Sequence, residues 1–278
     1  MKAPQQDEIN YAKENVALFL PALIYFTNHS DFPWKRINDL FNQKLEERNE
    51  EAQGETIEVK ATVFDIMVAA KKGNKTARGL LLYLNRLFND LSQLLAVAQR
   101  QMVFTNIKNL LTRLDWRFYD YLGEIGILFN LLSTNKYRLL RVEEGIGNGK
   151  TLDFTIQDIS TSTVQLVEVY NIHLDSEKVE ADPTAINAFL TKRLTDKITD
   201  KQKKRDTPIE FTLVPVLWGG VKELRVYSQY FQEHQLDIPN VHEPFAWLQF
   251  SDDKDYYAHR FARITNLFKE FDNPKPAE

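Results

Sequence analysis

Two carboxylates in this sequence stand inside apolar runs. Asp153 interrupts Leu152-Asp-Phe154, and fifteen residues later Glu168 interrupts Val167-Glu-Val-Tyr170. A charge within such a strand costs several kcal/mol unless it is paired, hydrated or bound to a metal. On neighbouring paired strands the two carboxylates can converge on one point, and hard oxygen ligands of that kind suit Mg²⁺ or Mn²⁺, which can acidify a bound water. The strand period of two puts Tyr170 on the face of Glu168, with Val167, Val169 and Asn171 on the other. Glu124 lies between Gly123 and Gly126. Small neighbours let a helix approach a sheet closely, so Glu124 is the third member expected of an acidic cluster.

A basic run follows. Lys192, Arg193, Lys197, Lys201, Lys203, Lys204 and Arg205 are set against only Asp196 and Asp200. Seven positive charges on one helix can neutralise nucleic-acid phosphates. The same run also reads as a solvated helix face whose last turn favours cations through the helix dipole. An adjacent acidic pair moves the balance toward function.

Other chemistries find no support. Glu144-Gly-Ile-Gly-Asn-Gly-Lys-Thr151 has glutamate where a phosphate loop needs glycine, and a strand is expected after it, so it reads as a hairpin loop. His29, His173, His234, His242 and His259 show no metal-ligand spacing. There is no Gly-x-Ser-x-Gly elbow, and with zero cysteines there is neither thiolate nucleophile nor Cys-based zinc site.

The elements that must position these residues can be read from periodicity. From Asn10 to about Leu114 the apolar spacing is helical, with Pro33 opening a helix that carries Trp34, Ile37, Phe41 and Leu45 on one face. Residues 46–56 are polar and read as a loop. Leu80, Leu84, Leu87, Leu91, Leu94 and Ala98 form a seam that resumes at Val103, Ile107, Leu110 and Leu114. Such a seam wants another helix, from within the chain or from a second copy in a homodimer.

An amphipathic helix over about Leu114–Leu132 is followed by strands Tyr137–Val142, Leu152–Ile156 and Val164–Asn171, with turns at Gly145–Gly149 and Asp158–Ser162. A helix over about Thr184–Lys204 then leads to strand Ile209–Leu217. The order is α, β, β, β, α, β. A last helix is expected to carry Tyr257, Phe261, Ile264 and Phe268.

The 278 residues are 43% hydrophobic and 27% charged, which places the chain in the globular class. The longest early apolar run, Val16–Phe26, is 11 residues and contains Pro21, so neither a membrane span nor a signal peptide is expected, and the cytoplasm is the expected compartment. A net charge of −4 gives no global attraction to nucleic acid, so that contact must be local.

Together, the helix with Glu124, the hairpin carrying Asp153, the Glu168-Val-Tyr170 strand and the following helix and strand resemble the core of the PD-(D/E)XK nuclease superfamily, over about 120 residues. The resemblance implies a restriction-endonuclease-like αβββαβ core and divalent-metal-dependent hydrolysis of phosphodiester bonds, with DNA as the expected substrate. It implies Mg²⁺ or Mn²⁺ on Asp153 and Glu168, assistance from Glu124, and a lysine that orients the attacking water. Leu152 stands where the motif has proline, and Tyr170 where it has lysine. A phenol is neutral at pH 7 and supplies no cation, although it can orient a water. Lys197 and Lys201, at i and i+4, are the candidates to replace the amine, with Lys150 behind them.

The implied organisation is a helical region over 1–112 that binds substrate or a partner, the α/β core over 113–235, and a C-terminal loop and helix over 236–278. Two other readings stay open. One is a non-catalytic interaction or nucleic-acid-binding protein on the same fold. In the other, Asp153 and Glu168 are salt-bridge partners of Arg138 or Lys150.

Overall fold

The structure, a computed structural model, describes residues 11–51, 62–113, 117–174, 182–251 and 257–269. The chain divides into two compact units, residues 1–122 and 123–278.

The first unit is helical: α1 (Tyr11–Phe19), α2 (Pro21–Phe26), α3 (Trp34–Glu51), α4 (Val63–Lys71), α5 (Lys75–Leu94), α6 (Val97–Met102) and α7 (Phe104–Thr112). Local chemistry sets the boundaries. Thr62 and Asp65 form a reciprocal capping box at the start of α4. The Asn74 side chain accepts from the Ala77 N–H to open α5, and Gly73 at φ +94° makes the left-handed step between the two helices.

On α5 the residues Leu80, Leu84, Leu87 and Leu91 are buried, and the helix packs against α2 and α4 of its own unit. The seam breaks where its spacing slips. Leu95 is buried instead of Leu94, Ala98 is exposed, and the Arg100 guanidinium donates to the freed carbonyls of Ser92 and Leu95. Val103, Ile107 and Leu110 are buried again on or beside α7; Leu114 lies outside the described residues. The loop expected at 46–56 is overturned as far as residue 51. Glu46, Glu47, Arg48, Glu50 and Glu51 are polar but good helix formers, and α3 runs through them.

The second unit is mixed α/β. Helix α8 (Phe118–Ser133), in which the division falls, leads into β1 (Tyr137–Gly145), β2 (Thr151–Asp158) and β3 (Val164–His173). Then come α9 (Pro183–Gln202), β4 (Thr212–Trp218), α10 (Val221–Glu233), β5 (Phe245–Ser251) and β6 (Tyr257–Arg263). The six strands form one open sheet in sequence order. The hairpins β1–β2, β2–β3 and β5–β6 are antiparallel, whereas β3–β4 and β4–β5 are parallel, with α9 and α10 as their crossovers.

The α, β, β, β, α, β order read from periodicity is therefore present, and the C-terminal helix is not. Tyr257 and Phe261 lie on β6, Ile264 opens a 3₁₀ turn (Ile264–Asn266), and Phe268 follows it. Spacings of four, three and four mimic a helix, but Tyr257, His259 and Phe261 also alternate. Pairing with β5 over seven residue pairs decides for the strand.

The two faces of the sheet are covered differently. Ile186, Leu190 and Leu194 of α9 and Leu224 and Tyr227 of α10 share a core with Ile172, Leu213, Leu217, Ala246 and Leu248. Helix α8 meets the face bearing Asn171, Trp218 and Phe261. A Cβ at Gly123 would lie 2.3 Å from Asn171 Oδ1, and one at Gly126 would lie 2.9 Å from the Phe261 ring. Those two glycines are what lets α8 lie this close, as their spacing predicts.

Candidate active site between β2, β3 and α9

Asp153 and Glu168 are placed together by strand register. Phe154 pairs with Val167, and one further step along the antiparallel ladder sets Asp153 opposite Glu168, on the same face. Asp153 itself bridges the strands, because its Oδ2 accepts the Val169 N–H at 2.7 Å. Glu168 is 2% exposed.

The partners of Glu168 come from α9. Asp182 caps this helix by accepting the Ala185 N–H, and Pro183 occupies its first turn. The buried stripe Ile186, Leu190, Leu194 then continues toward the C-terminus into Lys197, Ile198 and Lys201, where apolar residues would ordinarily follow. Both lysines turn inward. Lys197 Nζ lies 2.8 Å and Lys201 Nζ 2.9 Å from Glu168 Oε1. Lys201 also donates to the Thr151 carbonyl, while the Lys197 ammonium sits 5.2 Å from the centre of the Tyr170 ring. Lys201 is the more enclosed, at 12% side-chain exposure against 25% for Lys197.

The β1–β2 turn locks this end of α9 in place. With Gly147 and Gly149 both at φ +79°, Asn148 points its amide at the carbonyls of Lys201 and Lys203, 2.8 and 2.9 Å away. Lys150 donates to the Asp200 carbonyl at 2.8 Å and forms an ion pair with its carboxylate. The turn thus satisfies helix-terminal carbonyls that would otherwise need water. The Glu144–Thr151 run is the hairpin loop its composition predicts.

Charge follows from burial. Desolvation, then the neighbouring charge of Glu168, pushes the Asp153 carboxyl up to about 7, against the pull of the Val169 N–H, Lys201 and Lys197. Burial lowers the Lys197 ammonium, but the charge and hydrogen bond of Glu168, with Asp153 and Tyr170 behind, outweigh it and the net shift is upward. One atom is left over. Glu168 Oε2 is buried with no hydrogen-bond partner, although its sister oxygen has two lysines.

Several expected placements are corrected. Glu124 is half-buried on α8, which covers the Asn171 face, whereas Glu168 and Tyr170 use the opposite face against α9. Among the described residues no group of three or more His, Cys, Asp or Glu side chains is placed to hold a metal ion, so the three-carboxylate cluster does not form. Arg138 pairs with Gln157 and Lys150 with Asp200, so neither is the partner of Asp153 or Glu168. The basic run divides. Lys197 and Lys201 turn inward, Lys192, Arg193 and Lys204 are exposed, and half-buried Arg205 donates to the Thr207 carbonyl. Sequence reasoning missed the role of Asn148; an asparagine between two glycines signals a turn but not what the turn touches.

No family model and no curated protein matches this chain. A solved structure to which it is similar is that of SfsA from Pyrococcus furiosus in complex with Ca²⁺, at 14% identity and a TM-score of 0.25. The similarity covers 54% of this chain and 64% of that one, less than two thirds of the neighbour's length.

Proposed function

We propose that the second unit carries the active site of a divalent-metal-dependent phosphodiester hydrolase of the PD-(D/E)XK kind, acting on nucleic acid, with DNA as the first substrate to test. Asp153 and Glu168 would hold Mg²⁺ or Mn²⁺, and α9 would supply the amine that Tyr170 lacks. The observation that carries this reading is Glu168: a carboxylate at 2% exposure, one oxygen shared by two lysines and the other without a partner.

That donor set fits a hard divalent cation. Glu168 Oε2 and the Asp153 oxygen not engaged by Val169 are the donors, and two carboxylates suit an ion that keeps most of its waters. When bound, such an ion acidifies a water and neutralises charge developing on the phosphate. The lysines then divide the remaining work. Lys201, tied to both Glu168 and the Thr151 carbonyl, fixes the carboxylate, while the more accessible Lys197 has donors to spare for a water or a phosphate oxygen. Tyr170 steadies Lys197 through its ring. Lys192, Arg193 and Lys204 remain outside to meet phosphates along a strand.

The direct test is thermal. Mn²⁺ or Mg²⁺ at one hundred times its Kd should stabilise the protein by about 2.7 kcal/mol, several degrees in Tm. The Asp153→Ala/Glu168→Ala double variant should show no shift. A shift that persists in it places the ion elsewhere and removes the basis of the proposal.

Cleavage of labelled DNA separates the roles further. Lys197→Ala should lower the metal-dependent rate by about 10² to 10⁴, the usual contribution of a positioned proton-transfer group. Tyr170→Phe, which keeps a ring beneath the ammonium, should be close to wild type. Tyr170→Lys should bring no gain, because it adds a third ammonium to two already there. A tenfold gain from Tyr170→Lys would mean that the α9 amines do not serve the reaction.

The same geometry favours one second reading. Two lysines already balance two carboxylates, which suits a non-catalytic nucleic-acid or protein-binding module on this fold. Metal-independent binding with no cleavage would select it. No helix among the described residues is long and apolar enough to cross a membrane. The cytoplasm, and a homodimer through the N-terminal helices, belong to the proposal.

A further inference from the structure

The second unit contains a cavity of about 370 Å³ under the α8 face of the sheet, between the C-terminal half of α8, β6 and the turn that follows it. Its volume lies in the range that holds a small organic ligand. It draws nothing from Asp153, Glu168 or α9.

The wall is aromatic on one side. Phe245 and Phe261, on adjoining strands, have rings 5.7 Å apart and 17° from parallel, and Tyr137 lines the cavity as well. The polar groups are His242, Asn266 and Arg263. His242 and Asn266 are half-buried, and among the described residues neither side chain makes a hydrogen bond. Half-buried amides and imidazoles are ordinarily bonded, so two together on one cavity mark groups kept for something else. Burial, then the charge of Arg263, holds the His242 ring below its ordinary value despite Glu243, which leaves a neutral imidazole able to donate and accept.

Arg263 is half exposed at the rim, its guanidinium 6.0 Å from the centre of the Phe245 ring. Its nearest carboxylate, Glu243 Oε2, is 3.9 Å away, while Glu243 Oε1 is occupied by the N–H and hydroxyl of Thr265. That contact is too long to use the planar fork of donors a guanidinium offers to an anion.

We propose that this cavity binds a nucleoside monophosphate, with the base against Phe245 and Phe261, the phosphate at Arg263, and His242 and Asn266 hydrogen-bonding the base or sugar. The shared chemistry is an aromatic base joined to a phosphate, from either a free nucleotide or the 5′ end of a strand. The site is separate from the carboxylate pair, so it stands or falls independently of the proposed hydrolase.

Isothermal titration of the full chain with AMP, adenosine and inorganic phosphate tests it. AMP should bind, with adenosine and phosphate each at least tenfold weaker, since each carries half of the recognised chemistry. Arg263→Gln should weaken AMP at least tenfold with the circular dichroism unchanged. Should that variant not fold, Asn266→Ala provides the same test on a different group. A 5′-phosphorylated oligonucleotide that displaces AMP identifies a strand end as the source, and one that does not identifies free nucleotide. No binding of AMP by folded wild-type protein at millimolar concentration overturns the proposal. Binding lost in Asp153→Asn but kept in Arg263→Gln would do so too, by placing the nucleotide at the carboxylates.

Discussion

Replacing Lys197 and Lys201 together with methionine should cost about 3 to 5 kcal/mol of stability, because it strands a buried carboxylate. Glu168 is 2% exposed and its only hydrogen-bonding partners among the described residues are these two ammonium groups, 2.8 and 2.9 Å from one oxygen. Methionine preserves the straight stem that packs beside Leu194, so the loss reports the missing charge rather than a cavity. Urea unfolding at constant m reads it directly. Adding Glu168→Met to the double variant should return the midpoint to near wild type or beyond it, since a buried ionic triad is often no more stable than well-packed apolar residues. Retention of wild-type stability in the double variant would show that Glu168 does not depend on α9 for its charge.

The second large effect is a dependence on pH that runs opposite to ordinary carboxylates. Asp153 is raised from an ordinary value near 3.8 to about 7, by desolvation first and the charge of Glu168 second. Between those values the folded chain binds a proton that the unfolded chain has released. The stabilisation is complete below about pH 4 and is lost as pH rises through 7, a difference of order 2 to 4 kcal/mol. Asp158 works the other way. Bonds from Ser160, Thr161 and Lys136 outweigh its desolvation and hold it down to about 2, so its contribution is present above pH 4 and fades below it. Lys197, raised from its ordinary value, contributes a term that stays flat across this window. Asp153→Asn isolates the effect, because an amide oxygen can still accept the Val169 N–H without carrying charge. In chelator, wild type should lose stability between pH 5 and pH 8 relative to Asp153→Asn, and the variant should be the more stable protein at pH 8. Parallel curves would mean that Asp153 titrates as an ordinary carboxylate.

Much of the second unit can be read from local pattern. The first three strands are apolar runs bounded by Gly-rich or Ser/Thr-rich turns, and α9 opens on Asp182-Pro183 with a stripe spaced by four. Lys197 and Lys201 stand out because they fall on that stripe, and the structure turns both inward. Helix α10 was legible in principle, since Leu224, Tyr227, Ser228 and Tyr230 recur at helical spacing. It was hidden by the assumption that Gly219-Gly220 closes the core.

What periodicity does not carry is the side of a sheet. Gly123 and Gly126 signal a close approach of α8, but nothing local says that it approaches Asn171 rather than Glu168, and this alone parts Glu124 from the other carboxylates. Choice of partner is equally non-local. Lys150 is three residues from Asp153 in the chain and is taken by Asp200, fifty residues away. The strand Tyr257–Arg263 shows the same limit, because its partner β5 overrides a helical spacing.

The turn at Asn148 has a bearing on how α9 moves. The last turn of a helix is ordinarily its loosest, opening at almost no free-energy cost, and here that turn holds Lys201, one of the two cations on Glu168. Asn148 and Lys150 grip the carbonyls of Asp200, Lys201 and Lys203 from outside the helix. Unwinding from this end therefore requires the β1–β2 hairpin to let go as well. Fraying, which would free an ammonium from Glu168 many times for each global unfolding, is coupled to a far rarer event. A loop that touches neither carboxylate thus sets how long the pair keeps its charges matched.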